Sequence, residues 1–130
     1  MNKYLQAKGR LRLGEMNKTE TAFAALLERR KRAGEIVDYW FEAVTFKIAD
    51  NQCRYTPDFL VLLNDMSLVV FEVKGSFTVY EDDAKVKCKV FSSKYPLQLY
   101  IVAPRRKKDG GGWECLSYTD EKPPINLNQQ

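Results

Sequence analysis

The sequence predicts an α/β domain with a mixed central sheet of four to five strands and helices on both faces. Two windows, residues 17–33 and 82–94, carry the period of amphipathic helices. Between them lie two dense apolar runs, 55–63 and 68–73, separated by the polar stretch Asn64-Asp65-Met66-Ser67. That is the pattern of a hairpin of central strands covered on both sides. The second helix then separates the run 68–73 from another apolar run at 97–102, and a helical crossover brings the chain back parallel to the strand it left. The expected element order is αβββαββ.

Each element has its own signal. In the first helix Met16, Glu20, Phe23, Leu27 and Arg30 recur at spacings of three and four, and Gly34 is a stop. Residues 38–48 alternate through Trp40, Glu42, Val44 and Phe46 and read as one strand, with Asp50-Asn51 as its turn. In the second helix Ala84, Cys88, Phe91 and Tyr95 make the buried stripe and Pro96 ends it. Residues 97–102 are the fourth strand, 105–112 a flexible basic loop containing three glycines, and 113–118 a fifth strand at the edge. The domain division is a basic N-terminal arm over 1–15, a single domain over 16–119, and a disordered tail over 120–130.

Composition narrows the chemistry. The 130 residues suit one core. No apolar run approaches the roughly 20 residues of a membrane span, and residues 1–14 lack the apolar segment of a signal peptide; the chain is expected to work where it is made, with no membrane partner. Histidine is absent and the three cysteines, Cys53, Cys88 and Cys115, form no CxxC pair. Zinc sites built on His or paired Cys, Ser-His-Asp triads and histidine bases are thereby excluded. Cys88 belongs to the helix stripe and reads as core. Catalysis, if present, runs on carboxylates, lysines, hydroxyls or a hard metal held by oxygen. The net charge of +4 is modest, but basic residues cluster in the arm, at 29–32 and at 105–108, as on a phosphate-binding surface or a solvated face.

The chemistry-bearing stretches are Tyr55-Thr56-Pro57-Asp58-Phe59-Leu60 and Val70-Phe71-Glu72-Val73-Lys74-Gly75. A strand buried on both faces is a costly place for Asp, Glu or Lys. Glu72 and Lys74 lie two apart and share a face. If the hairpin pairs Leu63 with Ser67, Asp58 falls opposite Glu72 on that same face, whereas a register shifted by one sends it to the other side. Two close carboxylates favour a cation between them, and oxygen ligands suit Mg²⁺ or Mn²⁺. A lysine beside that pair can offset charge building on a phosphate. A buried structural ion pair of Lys74 with Asp58 or Glu72 is the plainer alternative, although it is a poor source of stability. Glu20 has two readings: an acid turned toward the site, or the reciprocal glutamate of a cap begun by Asn17. Glu42 either faces the site behind these residues or is a satisfied strand-edge glutamate.

Pro57-Asp58 followed by Glu72-Val73-Lys74 resembles the motif of the PD-(D/E)XK nucleases, and the element order over about residues 17–102 is similar to their restriction-endonuclease-like core. More narrowly, Asn17-Lys18-Thr19-Glu20, Tyr55-Thr56-Pro57-Asp58-Phe59, Glu72-Val73-Lys74-Gly75 and Asp82-Asp83-Ala84-Lys85-Val86-Lys87 resemble a group of short phage and prophage proteins, some of them described as candidate endonucleases. The resemblance implies Asp58, Glu72 and the main-chain carbonyl of Val73 as metal ligands, Glu20 completing the shell, Lys74 as the catalytic lysine, and Mg²⁺ as cofactor with Mn²⁺ able to substitute. The spacing of Glu20, Asp58, Glu72 and Lys74 is also similar to that of phage endonuclease I, a homodimeric Holliday-junction resolvase. The implied function is a metal-dependent DNA endonuclease, structure-selective for branched DNA. It would act as a homodimer in the cytoplasm of a bacterial host, alongside phage replication or recombination proteins. The expected DNA contacts are Lys85, Lys87 and Lys89 on the second helix, unless these only solubilise it, and Arg105, Arg106 and Lys107 in the basic loop. The alternatives are a nicking or end-processing nuclease within a replication or packaging complex, and a catalytically silent DNA-binding or inhibitor module on the same fold.

Overall fold

Asn17 opens the first helix, α1 (Lys18–Arg32), by a reciprocal cap. Its side chain accepts a 2.8 Å hydrogen bond from the Glu20 amide while Glu20 Oε1 accepts a 2.9 Å bond from the Asn17 amide. The computed structural model describes residues 14–79 and 82–128, so the expected basic arm lies outside the described residues except for Gly14 and Glu15. Past the C-cap, Gly34 takes φ +79°, a conformation that suits glycine.

Seven strands follow: β1 (Ile36–Phe41), β2 (Phe46–Ala49), β3 (Cys53–Tyr55), β4 (Phe59–Leu63), β5 (Leu68–Val73), β6 (Gln98–Pro104) and β7 (Trp113–Leu116), with α2 (Asp82–Lys94) between β5 and β6. The main sheet has the order β1-β4-β5-β6-β7, and β2 and β3 form a separate two-stranded sheet. β5 and β6 are parallel and the other neighbours antiparallel, as expected of a mixed sheet with one helical crossover. β7 lies at the edge, also as expected. No helix among the described residues is long and apolar enough to cross a membrane.

The two faces carry separate cores. On one, Phe23, Leu26 and Leu27 of α1 pack on Phe59, Val61, Phe71 and Val102, with the Phe23 ring centroid 5.6 Å from Phe59 and 5.1 Å from Phe71. On the other, Cys88 and Phe91 of α2, with Ile48 and Tyr55 of the small sheet, pack on Val70, Leu99 and Ile101. Cys88 is a core residue, as its place in the helix stripe implied.

Four expectations need correction. Residues 38–48 are two strands, because Glu42 at φ +48° turns the chain out of the main sheet. Alternation runs unbroken from Trp40 to Phe46 although Trp40, Glu42 and Val44 are all exposed, so periodicity could not reveal the break. The run 55–63 is likewise divided: Tyr55 ends β3, and Pro57, with no amide to give a ladder, precedes β4. The basic loop is braced rather than flexible. Arg105 N–H donates to Gly112 O at 2.9 Å, a short 3-10 turn spans Lys107–Asp109, and Arg106 pairs with Asp109 at 3.1 Å. Lastly, the disorder expected after residue 119 gives way over the described residues 120–128. Ile125 and Leu127, 6% and 5% exposed, join the core beneath α1. Arg30, buried on α1, donates from Nε to Asn126 O at 2.8 Å and anchors the segment. Gly112 meets the same segment so closely that a Cβ there would lie 2.9 Å from Asn128 Cα.

Candidate active site

The register that the site requires is present. β4 and β5 pair Phe59 with Phe71 and Leu62 with Leu68, and the Leu63 amide donates to Ser67 O at 2.9 Å across the turn. Extended by one residue, that register sets Asp58 opposite Glu72. Asp58 Oδ2 accepts a 2.8 Å bond from the Val73 amide. The Glu42 amide donates to Asp58 O at 2.8 Å, so the turn that ends β1 also fixes the start of β4. Lys74 follows the end of β5, its amide bonded to Val102 O at 2.9 Å. Its Nζ stands 3.4 Å from Glu72 Oε2.

Asp58 and Glu72 are both buried. Burial pushes the Asp58 carboxyl well above the usual carboxylate range, and the Glu72 charge pushes it further; the Val73 amide and Lys74 oppose this only partly. Burial also raises Glu72, against the pull of Lys74 and of the Tyr55 hydroxyl. Glu20 is raised by burial and by the charges of Glu42 and Glu72, against its cap bond to Asn17. Of the two readings of Glu20, the structure shows the cap of α1, and its charge is also felt at Asp58. Glu42 lies at the margin, its Oε1 3.3 Å from the Gly14 amide.

Asp58, Glu72 and Lys74 thus come together where β4 begins and β5 ends, with Glu20 on α1 near enough for its charge to be felt at Asp58. The Glu72–Lys74 ion pair exists, yet burial raises the Asp58, Glu72 and Glu20 carboxyls, and the Glu72 charge adds to the rise at Asp58 and Glu20. Among the described residues no three acidic, cysteine or histidine side chains converge as a ready-made metal shell. A closed structural site of the zinc kind therefore does not fit. Asp58 and Glu72 are the carboxylates that could supply part of the shell of a hard divalent ion, the rest being water.

The basic candidates fall into two groups. Arg105 and Arg106 line a groove with Gly75, Ser76 and Thr78, directly after Lys74, although Asp109 and Glu114 share its wall. Arg105 also braces its own loop through Gly111 O and Trp113 O, each at 3.4 Å, and Lys107 is exposed on the 3-10 turn. On α2, Lys87 and Lys89 are exposed and Lys85 is half-buried; Lys89 Nζ lies 5.8 Å from the Tyr118 ring centre.

Sequence reasoning missed Tyr55. Its hydroxyl donates to Glu72 Oε1 at 2.6 Å, and the Cys88 thiol lies behind it at 3.8 Å. A tyrosine in an apolar strand run needs a polar partner for its hydroxyl once buried, and that was the available signal.

The fold and site define an α/β domain with a buried carboxylate pair and a lysine at the end of a central hairpin. No family model, curated protein or solved structure matches the chain. The functional reading therefore rests on these residues and their geometry.

Proposed function

We propose that this chain is a metal-dependent DNA endonuclease of the PD-(D/E)XK type. The observation that carries the reading is the meeting of Asp58 and Glu72 on one buried sheet face, with Lys74 3.4 Å from Glu72. Charged groups gathered in a core cost stability, and a hydrolytic site gives them a use. Asp58 and Glu72 hold Mg²⁺ or Mn²⁺, with Glu20 and the Val73 carbonyl as the further ligands implied by the motif. The bound ion supplies Lewis-acid polarisation of a phosphate and a more acidic water. Lys74 holds a positive charge where negative charge builds on the phosphate. The groove holding Arg105 and Arg106 begins one residue past Lys74 and suits the phosphate backbone of one strand, without base reading. Selectivity for branched DNA and action as a homodimer are the finer part of the proposal; they rest on motif spacing and on the need of junction resolution for two symmetric incisions.

The test is incubation of wild type and Lys74→Ala with labelled four-way-junction and linear duplex DNA in Mg²⁺, Mn²⁺ or EDTA. Metal-dependent cutting, with the variant slower by on the order of 10²–10³-fold, is the expected result. Cutting confined to the junction supports the branched substrate; equal cutting of both DNAs keeps the nuclease and removes that selectivity. Binding without cutting in either metal favours the silent module.

A further inference from the structure

Glu72 is held at both carboxylate oxygens, by the motif lysine at one and by a tyrosine of β3 at the other. Lys74 Nζ stands 3.4 Å from Oε2, and the Tyr55 hydroxyl donates to Oε1 at 2.6 Å. Tyr55 is itself fixed from several sides. It is buried at the end of β3, its ring lies 5.3 Å from that of Phe91 on α2, and the Cys88 thiol contacts its oxygen at 3.8 Å. A phenol so held leaves Glu72 little freedom to rotate, and it removes one lone pair of one oxygen from use by any cation. The bond also reaches across the fold: it ties the small β2–β3 sheet to the end of β5.

We infer that Tyr55 is a positioning residue for the metal ligand Glu72, presenting that carboxylate in a single orientation through its hydroxyl bond. The inference rests on the metal-nuclease reading above. Hydrogen bonds that orient ligating carboxylates set metal affinity, and their loss costs about 10–100-fold. Tyr55→Phe keeps the ring that packs on Phe91 and removes only the donor.

The deciding measurement is Mn²⁺ binding by the full chain without DNA, read by electron paramagnetic resonance, beside thermal melting in EDTA to verify folding. Tyr55→Phe is expected to bind Mn²⁺ about tenfold more weakly than wild type while still melting cooperatively. Equal affinity in a folded variant overturns the positioning role and leaves the nuclease reading standing. Failure of wild type to bind Mn²⁺ at all removes the metal site itself, and this inference with it. Should Tyr55→Phe not fold, the wild-type Tyr55 hydroxyl proton, protected by burial, can be followed by NMR during Mg²⁺ addition. A shift at saturation supports coupling to the bound ion, and no shift in a protein that binds Mg²⁺ overturns it.

Discussion

Beneath α1 the central strands present Phe59, Val61, Phe71 and Val102 to Phe23, Leu26 and Leu27, and that core contains no buried carboxylate. Beneath α2 the alternate positions of the same strands present Val70, Leu99 and Ile101, and then, at the strand ends, Asp58 and Glu72 with Tyr55 against them. One face is built for cohesion. The other accepts buried carboxyls that burial drives toward protonation, Asp58 further so by the charge of Glu72. A face that gives up cohesion at one end only is the arrangement expected when stability is exchanged for a site.

The comparison can be broken in order of effect. Phe23→Ala, which empties the centre of the apolar face, should cost about 3–5 kcal/mol in urea unfolding, far more than any single change among the charged residues. A loss below about 1 kcal/mol would mean that this face is not the main core. Leu127→Ala should cost roughly 2–4 kcal/mol because the C-terminal segment completes the same face; a silent variant would return that segment to the tail expected from its sequence.

Asp58→Asn should act in the opposite direction. A carboxyl raised by folding stabilises the protein below its unfolded pKa of about 4 and loses that contribution as pH rises through the folded value. At pH 8 without metal the wild type therefore carries an unfavourable charge that asparagine lacks, while the asparagine oxygen can still accept from the Val73 amide. The variant should melt several degrees higher at pH 8, the gain shrinking as the pH falls toward 4. A variant less stable than wild type at pH 8 would show that the acids are paired for stability and would erase the contrast between the faces. The smallest effect belongs to the cap. Asn17→Ala should cost about 1 kcal/mol in urea unfolding, and no loss would mean that Glu20 stands near Asp58 without help from its capping partner.

Much of the architecture was legible because it is local or periodic. The two helices, the hairpin of β4 and β5 and the parallel return of β6 each follow from spacing, from turn residues or from a right-handed crossover. The meeting of Asp58 with Glu72 was legible for the same reason: once Leu63 pairs with Ser67, the pleat decides which side chains face each other. What misled was alternation that continued through a bend. Trp40 to Phe46 reads as one strand, yet Glu42 adopts φ +48° and hands the second half to another sheet. The tail was misread because Ile125 and Leu127 stand among polar residues, and their burial depends on Arg30, which is distant in sequence.

By itself, then, the sequence determined the class of fold, the hairpin, the acids and lysine that its strands carry, and the exclusion of histidine chemistry. All of these depend on residue identity and short-range geometry. The structure chose the register that sets Asp58 opposite Glu72. Only the tertiary structure decided that β2 and β3 leave the main sheet, that the C-terminal segment closes the core beneath α1, and that Tyr55 and Cys88 stand behind Glu72. Those contacts join segments whose pairing no local period encodes, and they form only when both faces of the sheet are covered at once.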